Sequence, residues 1–118
     1  MKKKTIPYNF IFDHLGSLEL VIKPMFGCYL IYAGNKMILF LRKRENEPMY
    51  NGIYVAASEN YFDSLANDIG MNYQNDFFKN DKRRWLFIPE RDERFEPSVL
   101  MACRLIIKKD KRIGREKL

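Results

Sequence analysis

Histidine and cysteine are scarce in this chain of 118 residues, which holds one histidine, His14, and two cysteines, Cys28 and Cys103. A four-ligand zinc site would need carboxylates, and neither a CxxC nor an HxxxH spacing is present, so no metal or other cofactor is expected. Cys28 falls in an expected strand and Cys103 on the apolar stripe of an expected helix, where a thiol packs as a small hydrophobe. Long apolar runs are also missing. The longest, such as Met37–Leu41, fall far short of the ~20 residues that span a bilayer, so no membrane insertion is expected. Met1-Lys2-Lys3-Lys4 leads into the mixed stretch Tyr8–Asp13 rather than a signal-peptide core, which suits a cytoplasmic protein.

Catalytic signatures are absent in the same way. There is no GxSxG, P-loop or GxGxxG, and Glu90, Asp92 and Glu93 lie in an unbroken run of charges, residues 90–94, that reads as a solvated turn rather than an acid/base pair. His14 has no recognisable nucleophile or carboxylate partner nearby. The chain is expected not to be an enzyme.

What the sequence does contain is 47% hydrophobic and 14% aromatic residues, enough for one domain with a substantial core. The net charge of +6 is confined to the ends: Lys2–Lys4 and residues 108–118 are basic, whereas Thr5–Ile107 carries twelve basic and thirteen acidic residues. This divides the chain into a domain over residues 5–109 and a basic tail over 110–118, expected to be solvated.

Periodicity predicts the elements. Pro7 opens a helix with Tyr8, Ile11, Phe12 and Leu15 on one stripe, closed by Gly16. Leu18–Ile22 reads as a strand broken by Lys23-Pro24. Residues 28–33 and 36–42 read as strands joined by the hairpin loop Gly34-Asn35, and Ile53–Ala57 as a fourth. Ser58 caps a helix with Tyr61, Phe62, Leu65 and Ile69 on one face and Gly70 at its end. Tyr73–Phe78 fits a short strand or an aromatic loop equally well. Trp85–Ile88 is a strand stopped by Pro89, and Glu96-Pro97 starts a helix bearing Val99, Leu100, Cys103, Ile106 and Ile107. Strands linked by hairpins rather than helical crossovers imply an α+β fold, a single two-layer domain with an antiparallel sheet and helices on one face, in the order α-β-β-β-β-α-β-(β)-α.

Between the first helix and the second strand, Lys23-Pro24-Met25-Phe26-Gly27-Cys28-Tyr29-Leu30-Ile31-Tyr32 resembles the Arg-x-Met-Phe-Gly-Gly-Tyr-Gly-Ile-Tyr segment of the TfoX N-terminal domain family, and the order of elements over residues 6–107 is similar. Lys23, Cys28 and Leu30 stand where that family has arginine, glycine and glycine. The resemblance implies a secretion-chaperone-like two-layer domain and a role in regulation, with Met25, Phe26, Gly27 and Tyr29 as the family motif. On the residues themselves, Met25-Phe26-Gly27 is expected to mark the corner into the second strand, with Phe26 anchored in the core and Gly27 relieving backbone strain.

Three functions follow in order. The first is an interaction module whose exposed sheet face or edge receives an unidentified protein partner or a second copy of the chain; strand alternation puts some of Tyr29, Tyr32, Tyr50 and Tyr54 on the face away from the helices, where they would supply a patch. The second is electrostatic nucleic-acid binding through Lys108, Lys109, Lys111, Arg112 and Arg115. Enzymatic activity comes last.

Overall fold

The computed structural model describes residues 6–71, 73, 77–78 and 85–116. Its elements are α1 (Ile11–His14), β1 (Leu20–Met25), β2 (Cys28–Ala33), β3 (Lys36–Arg42), β4 (Gly52–Ala56), α2 (Phe62–Ile69), β5 (Trp85–Pro89), α3 (Phe95–Ile107) and β6 (Arg115–Glu116). The strands form one antiparallel sheet in the order β1-β2-β3-β4-β5, with β6 added beside the start of β3. This is the expected α+β domain. No helix among the described residues is long and apolar enough to cross a membrane.

Strand periodicity divides the core. Ile31, Leu39, Leu41, Ile53, Val55, Leu86 and Ile88 point to the side where Ile11 and Leu15 of the first helical turn, Phe62 and Leu65 of α2, and Val99 and Cys103 of α3 cover them. Each fully buried aliphatic side chain there contributes about 1.5–3 kcal/mol. The alternate residues Cys28, Leu30, Tyr32, Phe40, Tyr54, Trp85 and Phe87 point to the opposite face and form a second buried cluster with Phe77 and Phe78.

Two features of the strands depart from simple pairing. The register of β2 against β3 shifts between Ile31 and Tyr32, so that Ile38 is an extra residue and both Ile38 and Leu39 join the helix-side core. At the start of β4, Gly52 has φ +153°, and a Cβ there would lie 2.2 Å from the carbonyl oxygen of Ile88, so β4 and β5 can approach only around a glycine.

Three expectations are corrected. The first helix begins at Ile11, because Tyr8 adopts a left-handed conformation with φ +57° while its hydroxyl donates to Arg42 O and Glu90. Strand β1 is not broken at Lys23-Pro24 but runs through it to Met25. Residues 110–116, expected within a basic tail, belong to the packed domain: Ile113 is buried in the core, bridges Ala57, and leads into β6.

Candidate functional site

Met25 pairs with Cys28, which leaves Phe26 and Gly27 as a two-residue loop between β1 and β2. Their φ values, +52° and +78°, are those of a type I′ turn, the connection whose twist matches the flanking strands. Gly27 adopts this conformation without cost, as expected, but Phe26 does not. The first position of such a turn favours asparagine or aspartate, and a bulky residue there is strained. The segment is therefore a hairpin tip rather than a corner packed into the core, and the Phe26 ring is 88% exposed. Met25, beside it, is exposed as well. The sequence carried this signal in the Phe-Gly dipeptide between two strand patterns, but reading Lys23-Pro24 as a strand break concealed the hairpin.

The tip is held from behind. Arg44 donates from Nη1 to the carbonyl oxygen of Phe26 at 2.9 Å. Its guanidinium lies so close to Gly27 that an added Cβ would be 3.3 Å from Cζ. Arg44 is placed by Asn51, whose amide accepts from Arg44 N at 2.9 Å and donates to Arg44 O at 2.8 Å. The same Asn51 Oδ1 accepts from Arg42 Nη1 at 2.7 Å, and Arg42 also donates to the carbonyls of Glu47 and Asn46. Arg42 is buried, with its guanidinium 5.9 Å from the ring centroid of Tyr50 and 5.3 Å from that of Phe77. Carbonyls and aromatic faces thus surround this buried cation, and the loop of residues 43–51 wraps round it.

The adjoining edge of the sheet is blunted. In a two-residue hairpin the closing pair, Met25 and Cys28, exchanges hydrogen bonds, so the next pair, Pro24 and Tyr29, does not. The backbone nitrogen of residue 24 therefore faces outward, where proline offers no donor. Lys23, exposed beside it, has its ammonium 5.6 Å from the Tyr32 ring centroid. Proline and lysine on an edge strand oppose the addition of a further strand. The tip, not the edge next to it, is the accessible feature.

The tyrosines expected to form a patch do not form one. Tyr54 is 1% exposed, its ring stacked on Phe87 at 4.5 Å and its hydroxyl donating to Tyr50 O at 2.7 Å. Tyr32 is also buried, Tyr50 is half-buried, and Tyr29 packs against the helix-side core. The covering groups are Phe77 and Phe78, the latter stacked on Trp85 at 4.8 Å. The remaining residues of the Tyr73–Phe78 stretch, which fitted a strand or a loop, lie outside the described residues; Tyr73 itself bridges Phe87.

The five cations considered for nucleic-acid binding are dispersed among different tasks. Lys108 and Lys109 are exposed beyond α3, and Lys111 has its ammonium 5.7 Å from the Tyr61 ring centroid. Arg112 binds Asp68 at 2.7 Å, Asp110 at 2.8 Å and the Ser64 hydroxyl at 2.7 Å, which raises its pKa and lowers that of Asp110. Arg115 is in β6.

The groups considered for catalysis are committed elsewhere. Burial pushes the Cys103 thiol up to about 11, and burial also raises Cys28 against the opposing pull of Arg42 and Arg44. Both cysteines are free and buried. Glu90 accepts from Lys43 and Tyr8; burial opposes its ionisation, but these hydrogen bonds outweigh it and lower its pKa. Asp92 is held well below the usual carboxylate range by hydrogen bonds from Arg94. Among the described residues no group of three or more His, Cys, Asp or Glu side chains could hold a metal ion. Compared with protein-family models, curated proteins and solved structures, the chain matches none.

Proposed function

We propose that the protein is a non-enzymatic interaction module, of the regulatory kind implied by its resemblance to the TfoX N-terminal domain, and that Phe26 is its principal contact. The observation that carries this reading is an aromatic ring 88% exposed on a left-handed residue. In a free domain that ring gains nothing from burial and strains the turn. Against a partner with an apolar pocket, an aromatic side chain buries much of its 150–250 Å² and so contributes several kcal/mol at about 25 cal/mol per Å². The carbonyl clamp from Arg44 keeps the loop in one conformation, which lowers the ordering cost of binding.

The test separates the ring from the turn. Phe26→Asn retains a residue suited to the first position of a type I′ turn, so its melting temperature should equal or exceed that of the parent. Affinity capture from native lysate, with nuclease, should recover a protein with the parent chain and lose it with Phe26→Asn. Recovery of the same proteins by both chains would reject the tip as contact. Recovery of nucleic acid that nuclease removes and that Lys108, Lys109 and Lys111→Gln abolish would move the function to electrostatic nucleic-acid binding.

A further inference from the structure

At the far end of the β1–β2 hairpin from its tip, a cleft of about 550 Å³ opens between the chain leading into β1, the β2–β3 turn and the end of α3. Its volume lies in the range of small-ligand sites. The apolar lining comes from Leu18, Ala33, Ile38, Ile106 and Ile113. Ile38 reaches it because the β-bulge turns two consecutive residues to the helix side.

Four charged residues also line the cleft: Glu19, Lys36, Lys109 and Asp110. Asp110 is already satisfied, accepting from Arg112 Nε at 2.9 Å and Nη2 at 2.8 Å. Lys36 and Lys109 have no ion-pair partner among the described residues. Arg112 is shared between Asp110 and Asp68, and Glu116 stands opposite Lys36 across β3 and β6, so the cleft carries no excess of positive charge. What suits it to a ligand with a single negative charge is that two lining ammonium groups, Lys36 and Lys109, are in no ion pair among the described residues.

The backbone at Lys109 gives an independent indication. Lys109 N donates to Ile106 O at 2.9 Å and Asp110 N to Leu105 O at 3.0 Å, the two bonds of a Schellman cap whose left-handed residue is Lys109, φ +57°. Glycine is the usual occupant because it bears no strain there. A lysine at that point keeps a charged side chain at the cleft at the expense of the cap. Lys36 is positioned by its neighbour: its Cδ would be 3.0 Å from a Cβ on Gly114, so the stem lies directly on glycine backbone.

From these observations we infer that the cleft binds an aliphatic carboxylate, with its hydrocarbon on Ile38, Ile106 and Ile113 and its charge toward Lys36 and Lys109. This inference is independent of the function assigned to Phe26. The probe is decanoate below its micelle concentration, titrated into the intact chain by calorimetry and by NMR. Saturable one-to-one binding is expected, with shifts at Ile38, Ile106 and Ile113. Lys36→Met and Lys109→Gly should each weaken it by about fivefold or more, the loss of one favourable charge contact. Lys109→Gly relaxes the cap and should melt no lower than the parent, so weaker binding cannot be ascribed to unfolding. Phe26→Asn should bind decanoate normally. Decanol binding as tightly as decanoate would overturn the role of the lysines, inorganic phosphate competing equally would overturn that of the apolar floor, and no saturable decanoate binding would overturn the site.

Discussion

Phe26 and Arg42 are opposite departures from the usual partition, an apolar ring in water and a cation in the interior, and they lie on the two sides of one contact network. Because the ring is exposed, Phe26→Ala should change stability by less than about 1 kcal/mol, as surface substitutions do. A loss of about 3–5 kcal/mol, the cost of emptying a buried Phe site, would contradict the exposed position. Gly27→Val should cost about 2 kcal/mol, since a β-branched residue is forced to φ +78° against the Arg44 guanidinium. Denaturant melts of the two variants compare these effects directly. Arg42→Met keeps much of the side-chain volume but withdraws the donor from Asn51 Oδ1 and from the carbonyls of Asn46 and Glu47. Asn51 Oδ1 keeps its bond from Arg44 N, and Asn46 and Glu47 are exposed, so water can reach their carbonyls. With hydrogen bonds from a charged donor contributing about 1.5–3 kcal/mol each and water replacing part of them, a loss of about 3 kcal/mol is expected. Hydrogen exchange should rise at Arg44 N–H, which depends on the same Asn51.

At the scale of elements, the C-terminal segment is attached by one apolar residue, a two-residue strand and an ion-pair cluster. Asp110 is the carboxylate whose pKa the cluster lowers. Hydrogen bonds from Arg112 lower its pKa below the ordinary 3.8, so its contribution is complete above that value and is lost as the pH falls through the lower folded value. Residues 110–116 should therefore loosen in acid before the sheet does, and Asp110→Asn should remove that pH dependence while lowering protection of the Ile113 and Gly114 amides at neutral pH. Amide exchange followed from neutral pH down to about 2 tests both parts, and identical profiles for the two proteins would reject the role of Asp110. The same segment shows why sequence reading reached some elements and not others. The Gly34-Asn35 hairpin and α3 were legible because each is encoded by neighbouring residues, a turn dipeptide or a repeat of three and four. The docking of Arg112 on Asp68 and of Ile113 beside Ala57 joins residues more than forty positions apart, and a short run of charges gives no local sign of it. Tyr8 misled for a related reason: its place on a helical stripe was genuine, but its hydroxyl is drawn across the fold to Glu90, which holds the backbone outside the helix.

Among the described residues three layers of side chains stand on two layers of regular elements. Helices cover one face of the sheet, and on the other the rings of Phe77 and Phe78 cover Phe40, Tyr54 and Trp85. Alternation implied that some of the tyrosines face away from the helices, and Tyr32 and Tyr54 do, yet alternation cannot show whether such a face is wet. Covering it removes an aromatic patch that would invite association, and among the described residues Phe26 at the hairpin tip is then the aromatic side chain most open to solvent. The consequence can be measured. Phe77 and Phe78 are half-buried, so replacing both with alanine should destabilise the domain by roughly 2–4 kcal/mol, below the sum for two fully buried rings. The helix-side core does not depend on them, so the double variant should stay folded by far-UV circular dichroism. With Tyr54 and Phe40 exposed it should bind a hydrophobic dye and elute from a sizing column as a larger, concentration-dependent species, even when Phe26→Asn is also present. A double variant that bound no dye and eluted as the parent would show that the aromatic face needs no cover, and a tyrosine patch on that face would again be available as a contact surface beside the tip.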